Sequence, residues 1–322
     1  MNEIYILVNL LLLFCFTYVF HSYILFLYKR KYDMKYITLN ELNNAVRTNM
    51  WKIPHDIEFV IGIPRSGMLP ATIISEYLHV PLIDIDSFVN GCEPTGGHRL
   101  TMSQITSTNK VLVIDDTTYN GSTMTEAKEK LKGFSYEFIY AVVYLEGDNG
   151  AKHIDIYFED VRKYTKQFPN VIYEHNIFHH YPHIMTRSMY DIDGVLCKEP
   201  PDERNTEEYE KYIANPILNI VPSGMVGKLV TYRLNKYRII TEKWLREKLH
   251  MMYGQLIMFN ADSWEERNAT GISPADYKAT IYKADKSSIL FVESDDWQAR
   301  QIYEKSGKPV LSIEKNYLYG GE

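Results

Sequence analysis

The sequence predicts an α/β protein in which two parallel-sheet domains follow an N-terminal transmembrane helix. Three observations carry that prediction. Ile4 to Tyr28 contains no Lys, Arg, Asp or Glu. Two short apolar runs, Val111–Ile114 and Met189–Tyr190, lead directly into acidic residues and then into polar turns. Helical patterns follow such turns, so strands and helices alternate along the chain. A length of 322 residues fits about two domains.

At ~1.5 Å per residue, the run Ile4 to Tyr28 is long enough to cross a ~30 Å hydrocarbon core. No basic segment precedes it and no small-residue cleavage site follows it, which argues against a cleaved signal peptide. Lys29, Arg30, Lys31 and Lys35 come immediately after, whereas Glu3 stands before. Positive-inside reasoning therefore makes residues 1–30 a single-pass membrane anchor, with everything after it facing the cytoplasm. Hydrophobic content of 45% and 26 tyrosines supply ordinary cores. A net charge of −6 argues against a general nucleic-acid binder. Cys15, Cys92 and Cys197 lie far apart, so neither a disulfide framework nor a cysteine zinc site is legible, and a reducing compartment fits.

Residues 31–183 read as the first domain. A helix over Leu39–Asn49 precedes a strand over Ile57–Ile63. The turn Gly62-Ile63-Pro64-Arg65-Ser66-Gly67-Met68 then leads into a helix over Leu69–Leu78. Its glycines allow close backbone approach, and Arg65 can pair with phosphate oxygens. Phe88 to Asn109 has no periodicity and reads as a long loop, in which Arg99 is the one Lys or Arg; a solvated and a functional Arg99 both remain open. The strand Val111–Ile114 is followed by Asp115 and Asp116, a hydroxyl-rich turn, and a helix opening at Met124. Backbone N–H groups and the helix dipole there suit a phosphate, with Thr118, Ser122 and Thr123 as further donors. The acids suit sugar hydroxyls or a phosphate-bound Mg²⁺. One ligand carrying a 5-phosphate and a ribose diol uses every part. Strands over Phe138–Tyr144 and Ile154–Phe158 complete the parallel sheet. His175, His179, His180 and His183 cluster in sequence; if helical, His175 and His179 have zinc-ligand spacing, but Pro182 and the aromatic neighbours favour an irregular connector.

These residues resemble the phosphoribosyl-diphosphate (PRPP) signature of type I phosphoribosyltransferases, with the Gly62–Met68 turn similar to that family's pyrophosphate loop. The resemblance implies a Rossmann-like parallel sheet and PRPP binding by Arg65, Ser66, Gly67, Asp115, Asp116, Thr118, Tyr119, Asn120, Gly121, Ser122 and Thr123. It also implies Mg²⁺ on the pyrophosphate and a mobile loop closing over the reacting centre.

Residues 184–322 read as a second domain. In Asp191-Ile192-Asp193-Gly194-Val195, residues two apart on an extended chain point to one side. Leu229-Val230-Thr231 ends an apolar run in a hydroxyl. Ser273-Pro274 opens a helix carrying Lys278, with Lys283 and Lys286 as alternatives. Ile289–Val292 is a strand followed by Glu293-Ser294-Asp295-Asp296, while Tyr209–Ala214 and Trp244–Tyr253 read as packing helices. In this order the segments resemble the four motifs of haloacid dehalogenase (HAD)-like phosphatases, which implies a HAD-like Rossmannoid fold. Asp191 is then the nucleophile, Asp193 the acid/base, and Thr231 and Lys278 the phosphate ligands. Mg²⁺ falls to Asp191, Asp193, Glu293 and Asp295, although Glu293 departs from the usual fourth motif and Asp296 competes with Asp295. The two resemblances together imply phosphoribosyl transfer from PRPP to a membrane or lipid-linked glycan acceptor, followed by removal of the 5-phosphate. Two alternatives stay open: a nucleobase phosphoribosyltransferase coupled to a nucleotidase in salvage, and a PRPP-binding sensor.

Overall fold

The computed structural model describes residues 34–97, 108–165, 171–179 and 182–321. The expected membrane span, Arg99 and His180 lie outside them; among the described residues no helix is long and apolar enough to cross a membrane. The chain divides into two compact units: one of residues 37–175, the other taking residues 34–36 and everything from Asn176 onward. Residues 176–183 therefore group with the second unit.

In the first unit, α1 (Leu39–Asn49) opens on a capping box. Thr38 Oγ accepts from the Glu41 N–H, and the Glu41 carboxylate accepts from the Thr38 N–H. There follow β1 (Phe59–Gly62), α2 (Met68–Leu78), β2 (Leu82–Asp84), α3 (Ile85–Val89), β3 (Lys110–Thr118), α4 (Ser122–Leu131), β4 (Glu137–Leu145) and β5 (Ile156–Asp160). The strands form one parallel sheet in the order β2-β1-β3-β4-β5. Strand order reverses between β1 and β3, and crevices that bind ligands form at the carboxyl ends of such a pair. Phe59, Ile61, Val111, Val113 and Val142 are buried in one core with Met124 and Leu131 of α4, which fixes that helix against the sheet.

Three expected boundaries move in and around the sheet. β3 continues four residues past Ile114, through both acids, because β4 goes on pairing with it at Asp115↔Val142 and Thr118↔Leu145. The hydroxyl turn shrinks accordingly, and α4 opens at Ser122 rather than Met124. β5 starts two residues later than expected, because the Asp155 carboxylate takes the Tyr140 N–H at 2.8 Å, a donor a strand backbone would otherwise use.

The second unit runs β6 (Ser188–Tyr190), α5 (Thr206–Ala214), β7 (Val226–Leu234), α6 (Arg238–Glu247), β8 (Tyr253–Phe259), α7 (Trp264–Ala269), α8 (Pro274–Ala284), β9 (Leu290–Glu293), α9 (Asp296–Ser306), β10 (Val310–Ser312) and β11 (Tyr317–Tyr319). Its sheet order is β8-β7-β6-β9-β10-β11, parallel except for β11. Here the reversal falls between β6 and β9, whose carboxyl ends lead into Asp191 and carry Glu293. The helix expected over Trp244–Tyr253 is displaced: α6 ends at Glu247, His250 takes φ 47°, and Tyr253 opens a strand paired with Val226. β7 likewise runs beyond Thr231 to Leu234, which places Thr231 inside the strand.

Candidate functional sites

The first site occupies the β1/β3 crevice. Asp115 and Asp116 are 8% and 4% exposed and are held by short bonds. The Asp116 N–H donates to Asp115 Oδ1 at 2.9 Å, and Ser66 Oγ donates to Asp116 Oδ1 at 2.9 Å. His175 Nε2 lies 3.2 Å from Asp116 Oδ2. Burial, reinforced by the Asp116 charge, pushes the Asp115 carboxyl up to about 9. Burial opposes ionisation of Asp116 as well, but hydrogen bonds from His175, Asp115 and Ser66 outweigh it and hold Asp116 below the usual carboxylate range. One proton thus rests on Asp115, leaving Asp116 as the anion: a donor–acceptor pair suited to a diol.

Ser66 and Gly67 of the β1–α2 turn reach this pair. A Cβ on Gly67 would stand 2.5 Å from the Ile63 carbonyl and 2.8 Å from Asp115 Oδ1, so only glycine lets the turn lie against the acids. The preceding Pro64–Arg65 peptide is cis, and Arg65 is exposed. Across the crevice, Tyr119–Gly121 turns β3 into α4. Gly121 has φ +81°, and a Cβ there would stand 2.3 Å from His153 Cδ2. The turn rests on a second loop, with the Gly150 N–H donating to Tyr119 O at 3.0 Å and the Glu146 N–H to Thr118 O at 2.9 Å. Asn120 Oδ1 accepts from Ser122 N at 3.0 Å and from Ser122 Oγ at 2.8 Å, standing where an anion at the helix N-terminus would accept the same donors. Ser122 and Thr123 are exposed at this end. Thr118 is buried against Gly150 and braces the turn from below.

Two participants escaped the sequence reading. His175 does not face zinc: residues 174–179 are turns rather than a helix, and its ring meets Asp116. Two residues earlier, Tyr173 donates to Glu146 Oε1 at 2.7 Å. Glu146 lines a cavity of about 910 Å³ beside the turn, together with Tyr119, Asn120, Asp148, Asp160 and Arg162.

The second site is a smaller cavity of about 200 Å³ that brings together Asp191, Asp193, Thr231 and Lys278, as expected, with Arg233 and Arg267 added. Lys278 Nζ donates to Asp191 Oδ2, to Glu293 Oε2 at 2.7 Å and to Gln298 Oε1 at 3.1 Å. Lys283 and Lys286 are not among its lining residues. Burial, with the Glu293 and Asp193 charges, pushes Asp191 well above the usual carboxylate range despite Lys278. Burial works against the Lys278 ammonium, but Asp191 and Glu293 more than offset it and raise its pKa. Gly194 has φ +77°, and a Cβ there would stand 2.2 Å from Ser294 Oγ, so glycine is required beside the β9 turn.

The expected metal set Asp191, Asp193, Glu293 and Asp295 does not form a cation site. Arg233, 1% exposed, clamps Asp193 through two nitrogens, with Nε donating to Oδ2 at 2.9 Å. Asp295 instead caps α9, accepting from the Gln298 N–H at 2.7 Å. Among the described residues no group of three or more His, Cys, Asp or Glu side chains could hold a metal. Lysine and arginine supply the counter-charge that Mg²⁺ was expected to bring.

The first site lies at the switch point of a parallel sheet, with paired acids on one side and a helix N-terminus on the other. A family model described as "Phosphoribosyl transferase domain" matches residues 38–182. That stretch is a type I phosphoribosyltransferase domain. Solved structures similar to the chain include three enzymes. A purine phosphoribosyltransferase from Pyrococcus horikoshii has 20% identity and a TM-score of 0.32, covering 44% of this chain and 92% of that one. An orotate phosphoribosyltransferase from Aeropyrum pernix has 16% identity and a TM-score of 0.29, covering 38% and 70%. A xanthine-guanine-hypoxanthine phosphoribosyltransferase from Helicobacter pylori has 11% identity and a TM-score of 0.29, covering 43% and 89%. No curated protein matches the sequence.

Proposed function

We propose that the chain transfers the phosphoribosyl group of PRPP to a membrane-held glycan or lipid-linked acceptor, and that its second unit, a HAD-like phosphatase domain, then removes the 5-phosphate. One observation carries this reading. A single chain holds two acid sites at two sheet switch points, and the product of the first chemistry is a substrate for the second. Asp116 accepts from a ribose hydroxyl while protonated Asp115 donates to its neighbour. The α4 N-terminus with Ser122 and Thr123 takes the 5-phosphate, and Arg65 with the β1–α2 turn takes the pyrophosphate. Mg²⁺ bound to the diphosphate of PRPP would supply positive charge to the leaving group beside Arg65 and the β1–α2 turn. As the C1–O bond breaks, positive charge grows on the ribose ring, and the anionic Asp116 favours it. In the second unit Asp191 bonds to phosphorus as the bond to the ribose oxygen breaks, that oxygen takes a proton from Asp193, and water then cleaves the aspartyl-phosphate to inorganic phosphate. The uncharged run Ile4–Tyr28 supports a membrane-held acceptor, because a tether raises its effective concentration.

A second reading has its own support. Arg233 clamps Asp193 and Asp295 caps a helix, which suits a unit that binds the phosphorylated product without hydrolysing it. Labelled PRPP incubated with native membranes separates these cases. Label is expected in the membrane phase, and Asp191→Asn should accumulate a product that keeps its 5-phosphate. Equal phosphorylation of the products of wild type and variant favours the second reading. Efficient use of orotate or hypoxanthine in place of membranes would sink membrane transfer and leave nucleotide salvage.

A further inference from the structure

The cavity beside the phosphate turn is lined by polar side chains of both charges, with Arg162 and Lys163 among them. Glu146, Asp148 and Asp160 contribute carboxylates, Asn120 and Asn149 amides, and Thr165 a hydroxyl. Tyr119, 61% exposed, is its one aromatic ring. Planar bases are held between apolar and aromatic walls, and here Tyr119 offers one ring with no second aromatic opposite it. An anionic acceptor would face the carboxylate of Glu146, while Arg162 already engages those of Asp148 and Asp160. A neutral polyol, by contrast, finds a hydrogen-bond partner on each side and a single ring face to lie on.

The acids in that wall are not equivalent. Arg162 Nη1 donates to Asp148 at 2.7 Å, and Arg162 also engages Asp160, through Nε at 2.9 Å, so one guanidinium serves both. Glu146 has a neutral partner instead, the Tyr173 hydroxyl. Its backbone is fixed at both ends, the N–H to Thr118 O and the carbonyl by Thr165 Oγ. Burial pushes the carboxyl above its ordinary value; the Tyr173 bond opposes this and the Asp116 charge adds to it. Tyr173, which ends a short strand, and His175, in the turn that follows, touch the two acids, Glu146 and Asp116, so the carboxylate of the acceptor cavity and the proposed ribose-binding acid sit under one stretch of chain.

We propose that this cavity seats a neutral polyhydroxyl acceptor and that Glu146 is the base that takes the proton from its attacking hydroxyl. The proposal rests on the phosphoribosyl-transfer reading above. The acceptor oxygen bonds to C1 of PRPP, the C1–O bond to pyrophosphate breaks with its electron pair leaving on pyrophosphate, and the hydroxyl proton passes to the Glu146 carboxylate and then to water. Losing such a base costs about 10²–10⁴-fold in rate.

The test uses the full chain and Glu146→Gln, whose amide oxygen can still accept from Tyr173, with native membranes as hydroxyl acceptor and azide as the second nucleophile. Azide carries no proton to remove. Glu146→Gln is expected to lose about 10²–10⁴-fold in transfer to membranes, to bind PRPP as wild type does, and to form phosphoribosyl azide at or above the wild-type rate. Equal rates for variant and wild type on membranes would overturn the proposal while leaving the transfer reading standing. Equal losses with membranes and azide would make Glu146 structural and overturn it too. A wild type that labels azide but no membrane hydroxyl removes the polyol acceptor. A wild type inert with both nucleophiles ends the transfer reading and this proposal with it.

Discussion

Replacing Asp115 by Asn should stabilise the ligand-free first unit while destroying its function. Folding lifts this carboxyl from its ordinary 3.8 to about 9, so at neutral pH the folded chain must hold a proton that the unfolded chain releases. Over the interval from 3.8 to pH 7, each pH unit costs ~1.4 kcal/mol, an upper figure of ~4 kcal/mol. Asp116 moves the opposite way and returns part of it. Asn keeps the acceptor for the Asp116 N–H and adds no charge. The pH course has a definite direction: a raised carboxyl pKa means that wild-type stability falls as pH rises from about 4 toward 9, whereas the variant should be flatter across that window. Hydrogen exchange of the Val111–Ile114 amides, followed from pH 5 to 9 without ligand, reads this unit separately from its neighbour. Transfer activity should meanwhile fall at least ~100-fold, as expected where an active site stores instability. A variant less protected than wild type, or one whose protection follows the wild-type pH slope, would refute the shared-proton argument.

Two further outcomes test the packing around the sites. Gly67→Ala places a Cβ 2.5 Å from the Ile63 carbonyl, so the turn must move off the acids; PRPP binding by titration calorimetry should weaken ~10-fold or more, about 1.4 kcal/mol. Arg233→Met strands Asp193 beside buried Asp191 and should cost the second unit ~3–5 kcal/mol in thermal unfolding, of which Asp193→Asn added to it should restore most, a coupling that a double-mutant cycle measures.

Motifs in which one residue type has one use were legible. Glycine at 67 and 121 and Ser273-Pro274 at a helix start each report a local constraint, and each stands where the sequence puts it. What lay hidden depends on contacts far apart in sequence. Asp116 meets His175 across 59 positions and Asp193 meets Arg233 across 40, and no periodicity links such pairs. His175 was grouped with its histidine neighbours because proximity in sequence was the one signal it offered. Arg233 lies inside an apolar strand, and a charge at such a position was the available clue, since arginine is rarely buried without a partner. Strand ends were misplaced for a related reason: β3 and β7 continue as long as their neighbours pair with them, which a polar side chain in the sequence cannot reveal.

The two sites solve one electrostatic problem in different ways, and the difference bears on their chemistry. Each sheet reversal gathers acids at strand ends, where burial penalises their charge. The first unit relieves Asp115 and Asp116 with a shared proton and neutral or weakly basic partners, Ser66 and His175, which a ligand can displace at small cost. The second unit relieves Asp191, Asp193 and Glu293 with full cations, Lys278 and Arg233, that are themselves buried. Such cations leave only if something else carries negative charge in their place, and a phosphate ester does. A phosphoryl group entering the 200 Å³ cavity would give Lys278 and Arg233 an alternative anion and release Asp191 and Asp193 toward phosphorus and the leaving oxygen. On that argument a phosphate ester is the class of ligand that would compete for the ion pairs of the second site. A neutral sugar would have no such leverage there, so under the proposed function the second unit should engage the transferred ribose only while it still carries its 5-phosphate.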